Sequence, residues 1–218
     1  MIIRYYGHSL FTFTLENGCV ILTDPYGEFY SYPTRTLKAD IVTVSHHHHD
    51  HDAVSMVEGN PVIIDQPGVH LPSDGVRIIG IPSKHDDANG AKRGDNLIFC
   101  LEAEGLRVVH LGDLGHVLTP EHCHAIGTPD VLLTPVGGTY TTDAIAAQQN
   151  TQLLNPRVTI PMHYQTDYNR DMPIATVEPF LALMNETPLP MTLCRITHQD
   201  INERSSLLLM SITAAAPA

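Results

Sequence analysis

The sequence has 218 residues, 43% of them hydrophobic, so it can bury a substantial core, and we expect residues 1–218 to form a single domain. Its 12 basic and 24 acidic residues give a formal net charge of −12, which excludes a general nucleic-acid binder and a binder of anionic membranes unless metal reverses the charge locally. An apolar run of about 18 residues and a secretory leader are both missing, and the cysteines lie far apart, which predicts a cytoplasmic protein with free thiols.

The first half of the chain is predicted to be mostly strands. Residues 2–6, 10–15 and 19–23 are typical of an antiparallel meander. Residues 26–36, rich in Tyr, Pro and Gly, predict a loop that could cover a site or make a subunit contact. A short helix is predicted at residues 52–58. Further strands are predicted at residues 40–45, 61–64, 76–81, 96–102 and 106–111.

The second half alternates strands with helices. A helix is predicted from Pro120 to about residue 126 with Thr119 as N-cap, and another to about residue 154 with Thr142 or Asp143 as cap. The other predicted elements are a helix at 177–185, strands at 131–134, 158–161, 191–196 and 206–212, and a frayed tail at 214–218. This pattern predicts an α/β (α+β) fold in which two packed sheets carry helices outside, a four-layer αββα sandwich.

The most informative stretch follows the predicted strand at residues 40–45. Four consecutive histidines, an aspartate and a further histidine stand deep inside the sequence, where an affinity tag is not expected. Within them, His46, His48, Asp50 and His51 fit H-x-H-x-D-H. Residues two apart on extended backbone point the same way, so the first two histidines can bind one ion, while Asp50 and His51 can face a second. The alternative is a solvated polar loop.

Three further polar residues lie shortly after the ends of predicted strands: His85, Asp113 and His163. Because the ends of strands that are distant in sequence can meet at one edge of a sandwich, we expect these side chains to join the histidine cluster.

Several motifs together resemble one known family. They are the H-x-H-x-D-H run, Gly7-His8-Ser9, Leu22-Thr23-Asp24-Pro25, the HLGDLG segment at 110–115 and Pro161-Met162-His163-Tyr164. The set resembles the metallo-β-lactamase superfamily, and within it the branch of ascorbate-phosphate-lactonase-like and uncharacterised metal-dependent hydrolases. The resemblance covers roughly residues 2–212.

The resemblance implies a metal-dependent hydrolase with a dinuclear centre. The implied ligands are His46, His48 and His85 for one ion and Asp50, His51 and His163 for the other. Asp113 would bridge both ions, and Asp50 or Asp113 would orient the nucleophile and help to pass a proton to the leaving group. Mixed His and carboxylate ligation suits zinc, with manganese or iron as alternatives.

The expected reaction is hydrolysis by a hydroxide that the two ions generate from water. The expected partner is a small ester, lactone or phosphodiester, because 218 residues leave little room for a further substrate-binding domain. A phosphorylated lactone would favour cationic groups near the metals, for which Lys84, Lys92 and Arg93 are candidates. The oligomeric state stays open, with a homo-oligomer as one option.

Some positions have competing interpretations. His110 competes with His85 as a ligand, and we favour His85 because His110 lies in an alternating strand. Asp24 is predicted to orient a ligand histidine or to end a strand, and His8 to be a structural histidine in a loop that the resemblance brings near the site. His116 could line the pocket.

Two other function classes compete with hydrolysis. A non-catalytic metal-binding or regulatory protein could keep this fold, although the ligand set looks complete. An oxidoreductase of the iron-binding branch would usually need a fused flavin domain, which this sequence does not contain.

Overall fold

The computed structural model describes residues 1–33, 36–199 and 206–213. The first strands are β1 (Ile2–Tyr5), β2 (Phe11–Thr14), β3 (Val20–Thr23), β4 (Leu37–Lys38), β5 (Ile41–Thr43), β6 (Val57–Glu58), β7 (Val62–Ile64), β8 (Gly68–Ser73) and β9 (Val76–Lys84). The later strands are β10 (Asp95–Ala103), β11 (Leu106–His110), β12 (Val131–Pro135), β13 (Val158–Met162), β14 (Leu189–Met191), β15 (Cys194–Arg195) and β16 (Ser206–Met210). The helices are α1 (Pro120–Ile126), α2 (Ala144–Leu154) and α3 (Glu178–Met184), and a 3₁₀ turn spans Val54–Met56.

Two mixed sheets form the centre of the fold. Over the described residues, the first sheet has the strand order β15-β1-β2-β3-β5-β7 and the second the order β14-β16-β13-β12-β11-β10-β9-β8. Strands β3, β5 and β7 are parallel, and so are β11, β12 and β13. Parallel strands end at the same edge of their sheet, so residues that follow these strands are brought together.

The main core lies between the two sheets. It combines residues such as Ile3 and Phe13 of the first sheet with Ile78 and Leu133 of the second. The free cysteines are consistent with the predicted reduced thiols. None of the helices in the described part of the chain has the length and apolarity needed to cross a membrane.

The two outer faces are covered differently. Ile126 of α1 and Leu154 of α2 pack on the second sheet. On the first sheet, Leu22 and Val42 are covered by aromatic residues of the segment 26–33. The predicted αββα architecture is confirmed, with the outer layer on the first sheet built largely from this aromatic segment and the 3₁₀ turn.

The helix starts follow the predicted capping chemistry. The Thr119 hydroxyl accepts a hydrogen bond from the His122 N–H at 3.3 Å, and Pro120 occupies the first helical position. Of the two candidates for α2, Asp143 is the cap, since its carboxylate accepts from the Ala146 N–H at 2.9 Å.

Two sequence predictions about local structure are wrong. The helix predicted at 52–58 is only a 3₁₀ turn, after which β6 pairs with β4. The strand predicted at 191–196 is two strands in different sheets, because β14 pairs with β16 whereas β15 pairs with β1. The tail at 214–218 lies outside the described residues.

The strand β8 was not predicted at all. It lies at the edge of the second sheet, contains Pro72 and has a register shift between His70 and Ser73. Proline cannot donate a hydrogen bond to a neighbouring strand, and an edge strand tolerates it because one side of the strand is unpaired. Pro72 therefore argued against a strand in the sequence although the segment forms one.

The turn at Gly112 is where the two sheets meet. Its φ is +58°, and a Cβ at this position would lie 2.3 Å from Asn96 Oδ1 and 2.7 Å from the Ser45 Cβ. Ser45 follows β5 of the first sheet, and Asn96 belongs to β10 of the second. Only glycine fits here, and Asp113 is the next residue.

We expect Gly112→Ala to lower the free energy of unfolding by about 3 kcal/mol or more, because backbone strain is added to an overlap with two packed side chains. The matched control is Gly75→Ala, whose φ is +75° and whose added Cβ would meet no atom within 4 Å. This control should cost roughly 1–2 kcal/mol. Urea unfolding measures both values, and equal losses would contradict the proposed packing role of Gly112.

Candidate metal centre

The predicted site residues come together at the edge where strands of both sheets end. His46 lies three residues after β5, His85 follows β9 directly, and His163 follows β13 with a φ of +53°. Asp113 follows β11 through the Gly112 turn. Although these residues are far apart in sequence, the structure places them in one cluster.

The carboxylate of Asp113 lies at the centre of this cluster. Its Oδ2 is 3.2 Å from Nε2 of His163, 3.3 Å from Nε2 of His51, 3.3 Å from Nε2 of His85 and 3.9 Å from Nε2 of His46. The Asp113 side chain is buried. One acidic group therefore contacts residues of both implied ligand sets.

The ring nitrogens around Asp113 form overlapping triads. In each triad the potential ligand atoms all lie within 4.8 Å of one another. The triads are His46/His48/His85, His46/His51/Asp113 and His8/His51/His163. Asp50 lies beside them, with its Oδ2 3.8 Å from His51 Nε2.

Asp24 orients two of the histidines from behind. Its carboxylate accepts from the Ser45 N–H at 2.7 Å and from the Ser45 hydroxyl at 2.6 Å. Because that hydroxyl donates to Asp24, its oxygen accepts from Nδ1 of His46 at 2.9 Å. Asp24 also contacts Nδ1 of His51 at 3.1 Å. Both imidazoles thus direct Nε2 toward Asp113, as the predicted orienting role of Asp24 requires.

The electrostatics divide the imidazoles of the cluster into two kinds. Burial disfavours a charged His51, but Asp113 and Asp24 outweigh it and raise the pKa of His51 well above its ordinary value. Burial lowers the pKa of His46 to about 3, and burial together with the imidazole of His163 lowers the pKa of His8 to about 3. Burial favours a protonated Asp113, but His163 and His51 outweigh it and hold the pKa of Asp113 well below its ordinary value. Neutral imidazoles and an ionised carboxylate are the forms that bind metals.

This donor set fits divalent metal ions. His46 Nε2 and Asp113 Oδ1 are buried and have no hydrogen-bond partner among the described residues. Ligand atoms that share an ion at about 2.0–2.2 Å in tetrahedral geometry lie about 3.3–3.6 Å apart. The distances of 3.2–3.3 Å from Asp113 Oδ2 to Nε2 of His51, His85 and His163 are close to this range. A cation would satisfy the unpaired nitrogen and oxygen atoms together.

His8 is more deeply involved than the sequence suggested. Its Nε2 lies 3.2 Å from Asp50 Oδ2 and 3.1 Å from His51 Nε2, and its ring centroid lies 4.1 Å from that of His163. The sequence signal was the Gly-His-Ser motif, which the resemblance had already placed near the site.

Asn96 is a positioning residue that sequence analysis missed. Its Oδ1 accepts from the Asp113 N–H at 2.9 Å, and its Nδ2 donates to the Leu111 carbonyl at 3.0 Å and to Ser83 Oγ at 2.7 Å. The available signal was a polar residue at the start of an otherwise apolar strand. Asn96 fixes the turn that presents Asp113.

Three other histidines, His47, His110 and His116, do not belong to these triads. His110 contacts the Ser9 carbonyl through Nε2 at 3.0 Å and accepts from the Gly112 N–H through Nδ1 at 3.1 Å, so both ring nitrogens are used. His116 contacts backbone atoms of Lys84 and Val117. His47 is 64% exposed and lies 3.5 Å from Asp52 and from Asp65.

A cavity of about 590 Å³ opens over the cluster. His48, Asp50 and Asp113 line it on the metal-binding side. Its other walls include Phe29, Tyr30, Met172, Arg93 and Tyr140. The segment predicted as a covering loop at 26–36 therefore contributes to the cavity over its described part.

Comparison with known proteins agrees with this geometry. A sequence profile described as a β-lactamase superfamily domain matches residues 2–163. The chain belongs to the metallo-β-lactamase superfamily. The resemblance inferred from the motifs is thereby confirmed.

Relatives of this superfamily protein are known in sequence and in structure. A UPF0173 metal-dependent hydrolase of Thermoplasma acidophilum is 29% identical over 189 residues, which cover 75% of this chain and 83% of the relative. A crystal structure from Thermotoga maritima, provisionally assigned as a Zn-dependent hydrolase of the metallo-β-lactamase superfamily, is 37% identical with a TM-score of 0.79, covering 96% of this chain and 98% of that chain.

A third comparison concerns the fold alone. Igni18 of Ignicoccus hospitalis, described as a novel metallo hydrolase, has a TM-score of 0.70 at 23% identity, covering 98% of this chain and 96% of that chain. Membership of the superfamily and the His/Asp cluster together support the general class of metal-dependent hydrolase for this protein.

We expect His48→Ala to lower metal affinity more than about tenfold, because His48 belongs to a triad at the cavity. His47→Ala is the matched control one residue earlier, and it should leave metal content nearly unchanged because that side chain points toward Asp52 and Asp65. Elemental analysis after dialysis against a competing chelator measures both. Equal losses would mean that the register of the cluster is wrong.

We expect Asp24→Asn to lower metal affinity about 10- to 100-fold. Its amide N–H₂ would face the hydroxyl of Ser45 and Nδ1 of His51, and would favour the tautomer of His51 that carries its proton on Nε2. Asp40→Asn is the control, since this carboxylate also accepts a backbone N–H, from Val20 at 2.8 Å, but is exposed. Competition titration against a chromogenic chelator measures the affinities, and unchanged affinity in Asp24→Asn would exclude the orienting role.

Proposed function

We propose that this protein is a dinuclear metal-dependent hydrolase that acts on a small ester, lactone or phosphodiester. The observation that carries the proposal is the position of Asp113. Its Oδ2 lies within 3.3 Å of Nε2 of His85, from the first implied ligand set, and within 3.3 Å of Nε2 of His51 and His163, from the second. A two-oxygen ligand between two groups of imidazoles suits a bridging role between two cations.

The residues divide into two ligand sets on this proposal. The first ion would be held by His46, His48 and His85 and the second by Asp50, His51 and His163, with Asp113 shared by both. The imidazole and carboxylate donors suit zinc best, and a bridging carboxylate also admits manganese or iron. Two such ions would supply Lewis acidity, lowering the pKa of a water molecule toward neutrality and polarising a carbonyl or phosphoryl oxygen.

Asp50 is suited to the proton transfer. It lines the cavity, and its side chain retains 15% exposure. Burial favours its protonated form, but the hydrogen bond with His8 and the imidazole of His51 hold the pKa of Asp50 below its ordinary value. As an ionised carboxylate at the cavity surface, Asp50 would accept a proton from water and pass it to the leaving group, with His8 holding its orientation.

The cavity favours a small substrate with an apolar part. Phe29 is buried against the ring of His8 with centroids 4.6 Å apart, and Tyr30, which is 50% exposed, lines the opening. These aromatic walls exclude water around the reacting group and would contact the body of the substrate. A volume of about 590 Å³ is typical of a small-molecule site.

We also propose that residues 1–218 act as one domain. The core between the sheets includes Met1 at one end of the chain and Met210 near the other, which supports a single folding unit.

We expect Asp113→Asn to reduce metal-dependent turnover at least about 100-fold and to lower metal content as well, because the shared ligand loses its charge. The measurement combines elemental analysis with hydrolysis of chromogenic ester, lactone and phosphodiester panels in the reconstituted protein. Asp130→Asn is the control, because Asp130 accepts a hydrogen bond from the Arg107 N–H at 2.7 Å and does not line the cavity.

The result separates catalysis from a structural or regulatory metal. A catalytic centre predicts close to two ions per wild-type chain and turnover that disappears in Asp113→Asn. A protein in which the metal has only a structural role would show no wild-type turnover on any panel, and Asp113→Asn would then lower mainly the melting temperature.

A further inference from the structure

The cavity over the metal cluster contains one feature that the hydrolytic centre does not use. Among the described residues that line this cavity, Arg93 is the one Lys or Arg side chain. Its guanidinium carbon lies 5.5 Å from the centroid of the Tyr140 ring, which lines the same cavity. The positively charged guanidinium of Arg93 is therefore part of the cavity wall beside the histidines.

The charge of Arg93 is not compensated by a neighbouring acid. The other cations of this region are paired, Lys84 with Asp95 at 2.5 Å and Lys92 with Asp87 at 2.6 Å. In the described part of the chain, no carboxylate lies within 4.0 Å of the Arg93 guanidinium. In a protein with a net charge of −12, an unpaired arginine inside the candidate cavity is available for an external anion.

The backbone that carries Arg93 is held rigidly beside the metal cluster. The carboxylate of Asp86, next to His85, accepts hydrogen bonds from the N–H groups of Ala88, Gly90, Lys92 and Arg93 at 2.8, 2.9, 2.8 and 2.7 Å. These four bonds close the loop 86–93 into one turn. The backbone at Arg93 is thus already ordered without ligand, so less conformational entropy would be lost when a ligand binds.

The side chain itself is oriented by its aromatic neighbour. A guanidinium over an aromatic face retains its in-plane N–H donors for a second partner, and that fork matches the geometry of a carboxylate or a phosphate. Arg93 is partly exposed, so its charge is not fully desolvated before binding. The pair therefore has the features of an anion subsite in a cavity wall that also contains apolar surface from Phe29 and Met172 and one further acidic residue, Glu28.

We propose that Arg93, packed on Tyr140, binds an anionic group, a carboxylate or a phosphate monoester, that the substrate carries away from its scissile bond. The inference rests on the proposed hydrolytic function and narrows its substrate class to acidic esters or lactones. The metal cluster would take the reacting group, while Arg93 would fix the other end and select against neutral analogues.

The test uses three substrates that share one scissile bond and differ at the far end: 4-nitrophenyl hexanoate, mono-4-nitrophenyl adipate and 4-nitrophenyl 6-phosphonooxyhexanoate. For wild type, we expect kcat/KM for at least one acidic ester to exceed that of the neutral ester. In Arg93→Gln this preference should fall about 10- to 100-fold while the neutral ester is hydrolysed as before. The two acidic esters distinguish carboxylate from phosphate.

Two further variants separate charge from geometry. Arg93→Lys should retain part of the preference, because it keeps the charge and loses the planar fork. Lys92→Gln is the matched control, since this neighbouring cation is paired with Asp87 and does not line the cavity. It should leave the preference unchanged.

A binding measurement makes the inference independent of turnover. Calorimetry would measure the binding of three ligands: 6-amino-6-oxohexanoate, 6-amino-6-oxohexyl phosphate and neutral adipamide. Each is titrated into metal-loaded and into chelator-treated protein. In both forms, we expect Arg93→Gln to weaken the binding of at least one of the two anions by a similar factor. Loss of anion binding in Arg93→Gln, without wild-type turnover on any of the ester, lactone and phosphodiester panels, would support the subsite and overturn the hydrolytic function. Unchanged preference and unchanged anion binding in Arg93→Gln would overturn the subsite alone.

Discussion

The buried carboxylate of Asp113 is the constraint on which the candidate site depends. It is 2% exposed, and its close neighbours are imidazole nitrogens rather than a lysine or arginine of the described chain. An isolated carboxylate in such a place would cost several kcal/mol, so it needs positive charge from protonated histidines or from bound cations. Metal affinity and folding are therefore coupled at this residue, and the rest of the site is arranged around its position.

That position is defined by both sheets at once. The Gly112 turn is wedged between Ser45 of the first sheet and Asn96 of the second, and Asn96 holds the Asp113 N–H. Asp24 follows β3, and Ser45 follows the adjacent parallel strand β5. The Asp24 carboxylate accepts a hydrogen bond from the Ser45 N–H, which links the ends of the two strands. The parallel pairing of these strands thus brings the Asp24 carboxylate behind His46 and His51, and the geometry of the cluster follows from the sheet topology.

The cavity above the cluster is lined by two chemically different groups of side chains. Carboxylates and imidazoles converge in the cluster and favour cations. Arg93 and Tyr140 stand in the wall of the same cavity, with Phe29 and Tyr30 providing apolar surface. A substrate that satisfied both groups would carry an electrophilic group for the histidine cluster and an acidic group for Arg93. The same cavity would therefore provide both the proposed hydrolysis, at the histidine cluster, and the proposed preference for acidic substrates, at Arg93.

The sequence by itself predicted the fold class, the family and seven residues of the cluster, because strand-end histidines and aspartates form short local motifs whose spacing reflects metal coordination. Local patterns also predicted the cap Thr119 and narrowed the second cap to Thr142 or Asp143, and the structure selected Asp143. They could not assign residues 191–196 to two different sheets, nor detect the proline-containing edge strand β8, because both depend on which strand lies alongside. Only the tertiary structure placed His8 beside Asp50, Asn96 behind Asp113 and Arg93 over Tyr140, since these contacts join segments whose separation in sequence carries no signal of their distance in space.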